Sequence, residues 1–198
     1  MFRIDLLNDP LEQFQRWYEE AKQKNERELD AMLLATANAS GRPSARVVLH
    51  KGIGKGGFLF YTNYYSNKSH DMMENPFVAT VFYWPIIGKQ VRVEGKVERL
   101  TREESESYFE ARPYESKIGA WASEQSREIP SRDYLLSQYQ KYCEMFPPQR
   151  EVRCPEYWGG YRLIPDRVEF WISQAHRLHD RFAYLKKDNK WEIIRLAP

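Results

Sequence analysis

The sequence predicts an α+β domain built around a mainly antiparallel β-barrel with helices at its periphery. Two patterns carry this. About eight short apolar or alternating stretches read as strands separated by turn residues. Helical periodicity is confined to the start and the middle of the chain, with no regular strand–helix alternation. At 198 residues the chain has the length of one domain, 1–198, and no repeat or linker divides it.

Asp9 suits the cap of a first helix, Pro10 its first turn, and Glu12 completes a capping-box-like pattern. Leu11, Phe14, Trp17, Tyr18 and Ala21 recur on one face, opposite Glu19, Glu20 and Lys22. Strands follow at 31–37 and 45–50, divided by the turn-forming Ser40-Gly41-Arg42-Pro43. Gly52, Gly54, Gly56 and Gly57 mark a flexible turn before a third strand at 58–62. Residues 66–74 read as a short helix stopped by Asn75-Pro76. Strands at 77–84 and 90–100 come next. In the second, Val91, Val93, Gly95 and Val97 alternate with Arg92, Glu94, Lys96 and Glu98. Thr101 and Glu104 form a capping box for a helix running to about Arg112, where Pro113 interrupts it. A short helix is expected at 116–122. A longer one is expected at 131–146, with Tyr134, Leu135, Tyr139 and Tyr142 on its apolar side. The chain returns to strands at 157–163, 167–172, 182–186 and 191–196, with Asp188-Asn189 as a tight hairpin turn.

Thirty Lys and Arg against 28 Asp and Glu leave a net charge of +2, too balanced for a general nucleic-acid binder. Aromatics, at 15%, supply flat, stiff side chains for a core, an interface or a ring-shaped ligand. Cys143 and Cys154 form neither a disulfide framework nor zinc-ligand spacing, which fits a reducing cytoplasm. There is no long apolar run and no signal-peptide pattern, so neither a membrane span nor export is expected. The GxSxG, P-loop, GxGxxG and HExxH motifs are absent.

The chain does carry anion-binding groups at strand ends and helix starts. Arg46 begins a strand and Lys51 ends it. Lys68, with Ser66 and Asn67, sits in the first turn of a short helix, where free N–H groups favour an anion. Tyr108 and Arg112 are four apart and share a helix face, with Ser116 just beyond. These residues read either as solvated surface charges or as two phosphate sites, and composition does not choose between them. Arg46 and Lys51 fall on opposite faces of a regular strand. Either they serve different phosphates or the strand bends near the glycines. In 176–181 an extended chain places Arg177, His179 and Arg181 on one face. That face is either a basic edge paired with Asp180 or Glu169, or it meets an anionic or electron-rich ligand.

Nine stretches, in order, carry a resemblance: RVVLHK (46–51), FYTNYYSNK (60–68), QVRVEG (90–95), YFEARP (108–113), SKIGAWASEQS (116–126), YWGGY (157–161), EFW (169–171), RLHDR (177–181) and RLAP (195–198). The set resembles the pyridoxine (pyridoxamine) 5′-phosphate oxidase family. The resemblance implies an FMN-binding split β-barrel and a homodimer with each FMN held between two subunits. It implies oxidation of pyridoxine or pyridoxamine 5′-phosphate to pyridoxal 5′-phosphate by O2, with release of hydrogen peroxide, and of ammonia from the amine. Carried over by position, Arg46, Asn67, Lys68, Gln125 and Ser126 lie around the flavin phosphate. Val47, Val48, Leu49, His50, Lys51, Tyr61 and Thr62 line the flavin. Gln90, Trp171 and Arg181 contact it, some from the partner chain. Lys51, Tyr108, Arg112 and Ser116 hold the substrate phosphate. Arg177 and His179, with Leu178 between them, lie over the pyridine ring as the catalytic pair.

Two departures stand out. The family usually has Arg before the lysine that follows FYTN, where this chain has Asn67, so weaker FMN retention is expected. The family also often carries a basic N-terminal arm that folds over the substrate; about eight residues precede the first helix here and none matches that motif, so closure by such an arm is not expected. The rival readings are a sister flavoenzyme acting on a phenazine precursor, a non-catalytic flavin- or haem-binding protein, and a plain structural dimer.

Overall fold

A computed structural model of the chain describes residues 5–188 and 190–198. Helix α1 (Pro10–Gln23) starts where its cap dictates, with Asp9 Oδ1 accepting the N–H groups of Leu11 and Glu12 at 2.7 and 3.2 Å. Strands β1 (Ala31–Ala37), β2 (Pro43–Leu49), β3 (Ile53–Gly54) and β4 (Gly57–Asn63) follow. Then come α2 (Asn67–Glu74), β5 (Phe77–Trp84) and β6 (Lys89–Arg99). Helices α3 (Arg102–Glu110), α4 (Tyr114–Ala122) and α5 (Arg132–Met145) form an insert before β7 (Trp158–Ile172), β8 (Asp180–Lys187) and β9 (Lys190–Leu196).

All pairings are antiparallel, and neighbours run β2-β1-β5-β6-β7-β4-β3. The two ends of this path, β2 and β3, are consecutive in the chain. Gly52 turns between them with φ +98°, a conformation glycine adopts without steric cost. Lys51 then donates to the Leu59 carbonyl and Leu59 to that of Gly52. The sheet thus closes into a barrel through the bend at 50–52, so the strand carrying Arg46 does stop before Lys51. β7 also pairs with β8 over residues 167–172, where β8 and β9 branch away from the ring.

The barrel interior is aromatic. Phe14 from α1 meets Phe58 and Phe82 edge to face, each at 4.8 Å, in the geometry that ring quadrupoles favour. A second cluster, Phe109, Ile118, Phe146, Val152 and Trp158, ties α3 and α4 to the start of β7. The apolar side of α5 is half-buried, and none of its residues is fully buried. No helix in the described residues is long and apolar enough to cross a membrane.

Three expectations need correction. The strands expected at 157–163 and 167–172 are one strand of 15 residues. It runs through Pro165 because the pairing register shifts there: Gly95 faces Pro165 and Glu94 faces Arg167, leaving Asp166 as the extra residue of a bulge. Gly95 permits this approach, since a Cβ there would lie 2.1 Å from the Ile164 carbonyl oxygen. The segment 176–181 is not extended. Ala175–Arg177 form a 3-10 turn, His176 and Arg177 have φ of 57° and 62°, and the strand begins only at Asp180. The glycine-rich turn contains the short strand β3. The turn expected at Asp188-Asn189 involves Asn189, which lies outside the described residues.

Candidate active site

A cavity of about 770 Å³ opens beside β2, β4 and the starts of α2 and α4. β2 and its bend supply Arg46, Val47, Val48, Leu49 and Lys51, and β4 supplies Tyr61 and Thr62. Asn67 and Lys68 come from α2, Tyr108 and Arg112 from α3 and the loop after it, Ser116 from α4, and Gln125 and Ser126 from the segment that follows. His50 is not among them. The bend turns its ring into the core, 5.4 Å from Phe14 and from Phe82, and burial pushes its pKa down to about 4.

At one end of the cavity the Lys68 ammonium is buried and ringed by neutral acceptors: Gln125 Oε1 at 2.8 Å, and Thr62 Oγ1 and Ser66 Oγ at 3.1 Å. It has no carboxylate partner among the described residues. Burial, with Arg46 nearby, brings its pKa down to about 8. Arg46 donates to Thr36 Oγ1 at 2.8 Å and to the Leu34 carbonyl at 3.3 Å, with Asp71 looser at 3.9 Å. Burial lowers its pKa and Asp71 opposes the shift. Arg46 reaches across from β2 to line the same cavity, and Lys68 stands in the first turn of α2. There Ser66 turns its hydroxyl to the Asn63 carbonyl and leaves the helix without a side-chain cap. An uncapped helix start with a buried ammonium and a guanidinium is the donor set of a phosphate. The phosphate of FMN fits it.

A recess of about 260 Å³ shares Lys51, Tyr108, Arg112 and Ser116 with the larger cavity. Lys51 Nζ is 3.6 Å from Asp30, a loose pair. The Arg112 side chain makes no hydrogen bond or ion pair among the described residues, and its Nη1 is buried. Tyr61 and Tyr108 stack at 3.8 Å and 11°, and burial raises the Tyr61 pKa to about 12. Trp158 also lines the cavity. Reading residue types missed it as a site residue, and the available signal was a large aromatic directly before Gly159-Gly160.

The remaining candidates gather elsewhere. Gln90 pairs with Trp171 across β6 and β7, and Trp171 with Arg181 across β7 and β8. His179 sits 4.6 Å from the Trp171 ring, and its Nδ1 accepts the Gln174 N–H at 3.1 Å. Arg181 is bound on two sides. Its Nε and Nη2 reach Glu169 Oε1 at 2.9 and 2.8 Å, and its Nη1 reaches the Ala197 carbonyl at 2.9 Å. Glu169 is only 2% exposed, with Arg92 and Arg167 at 3.4 and 3.7 Å from its other oxygen. Arg177 and Leu178 are exposed. None of these residues lines the cavity. Trp158 and Trp171 mark the two ends of the separation, 13 residues apart along β7, a contour of about 40 Å at the rise of an extended strand.

Comparison with known proteins bears directly on both regions. Residues 18–143 match the family model described as pyridoxamine 5′-phosphate oxidase. Residues 158–198, from the cavity end of β7 to the last residue, match the pyridoxine 5′-phosphate oxidase C-terminal dimerisation region. A pyridoxine/pyridoxamine 5′-phosphate oxidase of Coxiella burnetii is 65% identical over 100% of both chains. One from Cupriavidus taiwanensis is 50% identical over 98% of this chain and 91% of its own. Among solved structures, PhzG from Burkholderia lata 383, in complex with tetrahydrophenazine-1-carboxylic acid, superimposes with a TM-score of 0.93. It is 29% identical, covering 98% of this chain and 95% of that one. A pyridoxamine 5′-phosphate oxidase-related, FMN-binding protein from Nostoc punctiforme shares the fold at a TM-score of 0.76 and 15% identity, over 93% of this chain and 97% of its own. With two family models spanning most of its length and a relative at 65% identity from end to end, the chain belongs to the pyridoxamine 5′-phosphate oxidase family.

Proposed function

We propose that this chain is an FMN-dependent oxidase converting pyridoxine 5′-phosphate and pyridoxamine 5′-phosphate to pyridoxal 5′-phosphate. In this reading it works in the cytoplasm as a homodimer with FMN at the subunit interface and O2 as acceptor. One observation carries it: a single cavity holds two separate anion-binding sets, Arg46 with Lys68 and Lys51 with Arg112. Two phosphorylated ligands side by side need two such sets.

FMN, when bound, supplies the acceptor for the hydride leaving substrate C4′ and the path for those electrons to O2. The protein binds and orients. Lys68, Arg46, Gln125 and Ser126 hold the cofactor phosphate, with Asn67 at the helix start. Val47, Leu49 and Tyr61 present apolar surface to a flat ring. Lys51, Tyr108, Arg112 and Ser116 fix the substrate phosphate, which restrains the pyridine ring through its 5′ arm. Arg177 and His179, brought by the partner, cover that ring and exclude water. The distance along β7 supports this division of labour, since one chain carries the two groups at opposite ends of a strand.

The test is an absorbance spectrum of the yellow protein before and after anaerobic addition of pyridoxine 5′-phosphate. Bleaching of the flavin band, with peroxide formed on readmitting air, is expected. Bleaching by a reduced phenazine carboxylate but not by the phosphorylated vitamer would replace this reading with the sister activity. A colourless protein that takes up no FMN would end it.

A further inference from the structure

We propose that Trp158 is a positioning residue for the substrate phosphate, its indole face holding the Arg112 guanidinium in place without a competing anion. This rests on the phosphate subsite proposed above. The Arg112 Cζ lies 4.6 Å from the Trp158 ring, within cation–π range. Nothing else polar holds it: no carboxylate, carbonyl or hydroxyl bonds its side chain among the described residues, and Nη1 is out of reach of solvent. An arginine is ordinarily oriented by a carboxylate, which would also neutralise it and compete with an arriving phosphate. An indole face attracts the cation and leaves its charge to the ligand.

The indole is itself fixed. Its plane is within 10° of Tyr61 and 5° of Tyr108, at 5.5 and 6.3 Å, and Phe109 meets it at 5.0 Å and 69°. Tyr108, a second member of the subsite, therefore stands in the same stack as the ring that holds Arg112. The stack packs directly on the backbone beyond Trp158, where a Cβ on Gly160 would lie 2.8 Å from Tyr61 Cε1.

The experiment uses the FMN-loaded dimer and 4-deoxypyridoxine 5′-phosphate, which has no oxidisable group at C4′, with its Kd read by calorimetry. KM and kcat for pyridoxine 5′-phosphate are measured alongside. Trp158→Leu should raise Kd and KM about tenfold, between the sizes of an exposed and a desolvated cation–π contact, with kcat within about twofold. Trp158→Phe, which keeps a ring, should raise them about threefold. In an Arg112→Gln background neither substitution should add a further loss, because Trp158 acts through Arg112. Losses that multiply in the double variants, or a Kd unchanged in Trp158→Leu, would overturn the proposal. If Trp158→Leu does not fold, Trp158→Phe with and without Arg112→Gln decides on the same criterion. If Arg112→Gln alone leaves Kd unchanged, the phosphate subsite itself is wrong and this role falls with it.

Discussion

The two ends of β7 hold their cations in opposite ways. At the cavity end, Lys68 is buried among hydroxyls and an amide, Arg112 is half-buried against aromatic rings, and Lys51 and Arg46 keep only loose acidic neighbours at 3.6 and 3.9 Å. At the far end, Arg92, Arg167 and Arg181 converge on the buried carboxylate of Glu169. A buried cation without a counter-ion is costly and gains from any anion that arrives. A cation already paired and hydrogen-bonded is fixed in direction. The first arrangement suits the capture of phosphates proposed above, and the second fixes a geometry.

Three substitutions break or sharpen this contrast. Glu169→Gln has the largest expected effect: three arginines around a neutral amide should cost about 3–5 kcal/mol of stability, seen as a lower urea midpoint. An unchanged midpoint would mean the far end does not depend on its acid. Lys68→Met should weaken FMN binding roughly tenfold to a hundredfold, the range for a charged hydrogen bond, measured by flavin fluorescence on refilling the FMN-free protein. The wild-type lysine adds a pH dependence. Its pKa in the free site is about 8, and a bound phosphate raises it. FMN affinity should therefore be full near pH 7, where the lysine is charged and the phosphate is a dianion, and fall as pH rises through 8, by at most about tenfold per pH unit, whereas Lys68→Met should lose that slope. The smallest effect is expected of Asn67→Arg. It adds a cation at the exposed first residue of α2, and a solvent-exposed ion pair with the phosphate should raise FMN affinity about fivefold. No gain would show that the departure at 67 is neutral.

Local signals were the most legible in the chain. The cap at Asp9, the buried face of α1 and the Thr101–Glu104 capping box, with both reciprocal bonds formed, depend on residues within one helical turn. β7 was harder, because Pro165 reads as a break and only its pairing with Gly95 on β6 shows how the strand passes it. His50, expected to line the flavin, turns its ring into the core, since the bend there is set by closure onto β4. Of the site, the ordered motifs pointed to most of the cavity-lining residues. They carried no distances, so the separation of Gln90, Trp171 and Arg181 from Lys68 emerged only in three dimensions. Trp158 went unmarked because an aromatic beside two glycines looks like ordinary core.

The length of β7 has a genetic corollary. If each site draws its phosphate grip from one polypeptide and its ring cover from the other, a lesion at Lys68 and a lesion at Arg177 disable different halves. A cell carrying one allele of each kind assembles hybrid dimers in which both defects fall in the same crevice. The opposite crevice is then intact, so two inactive parents together restore growth that neither supports alone.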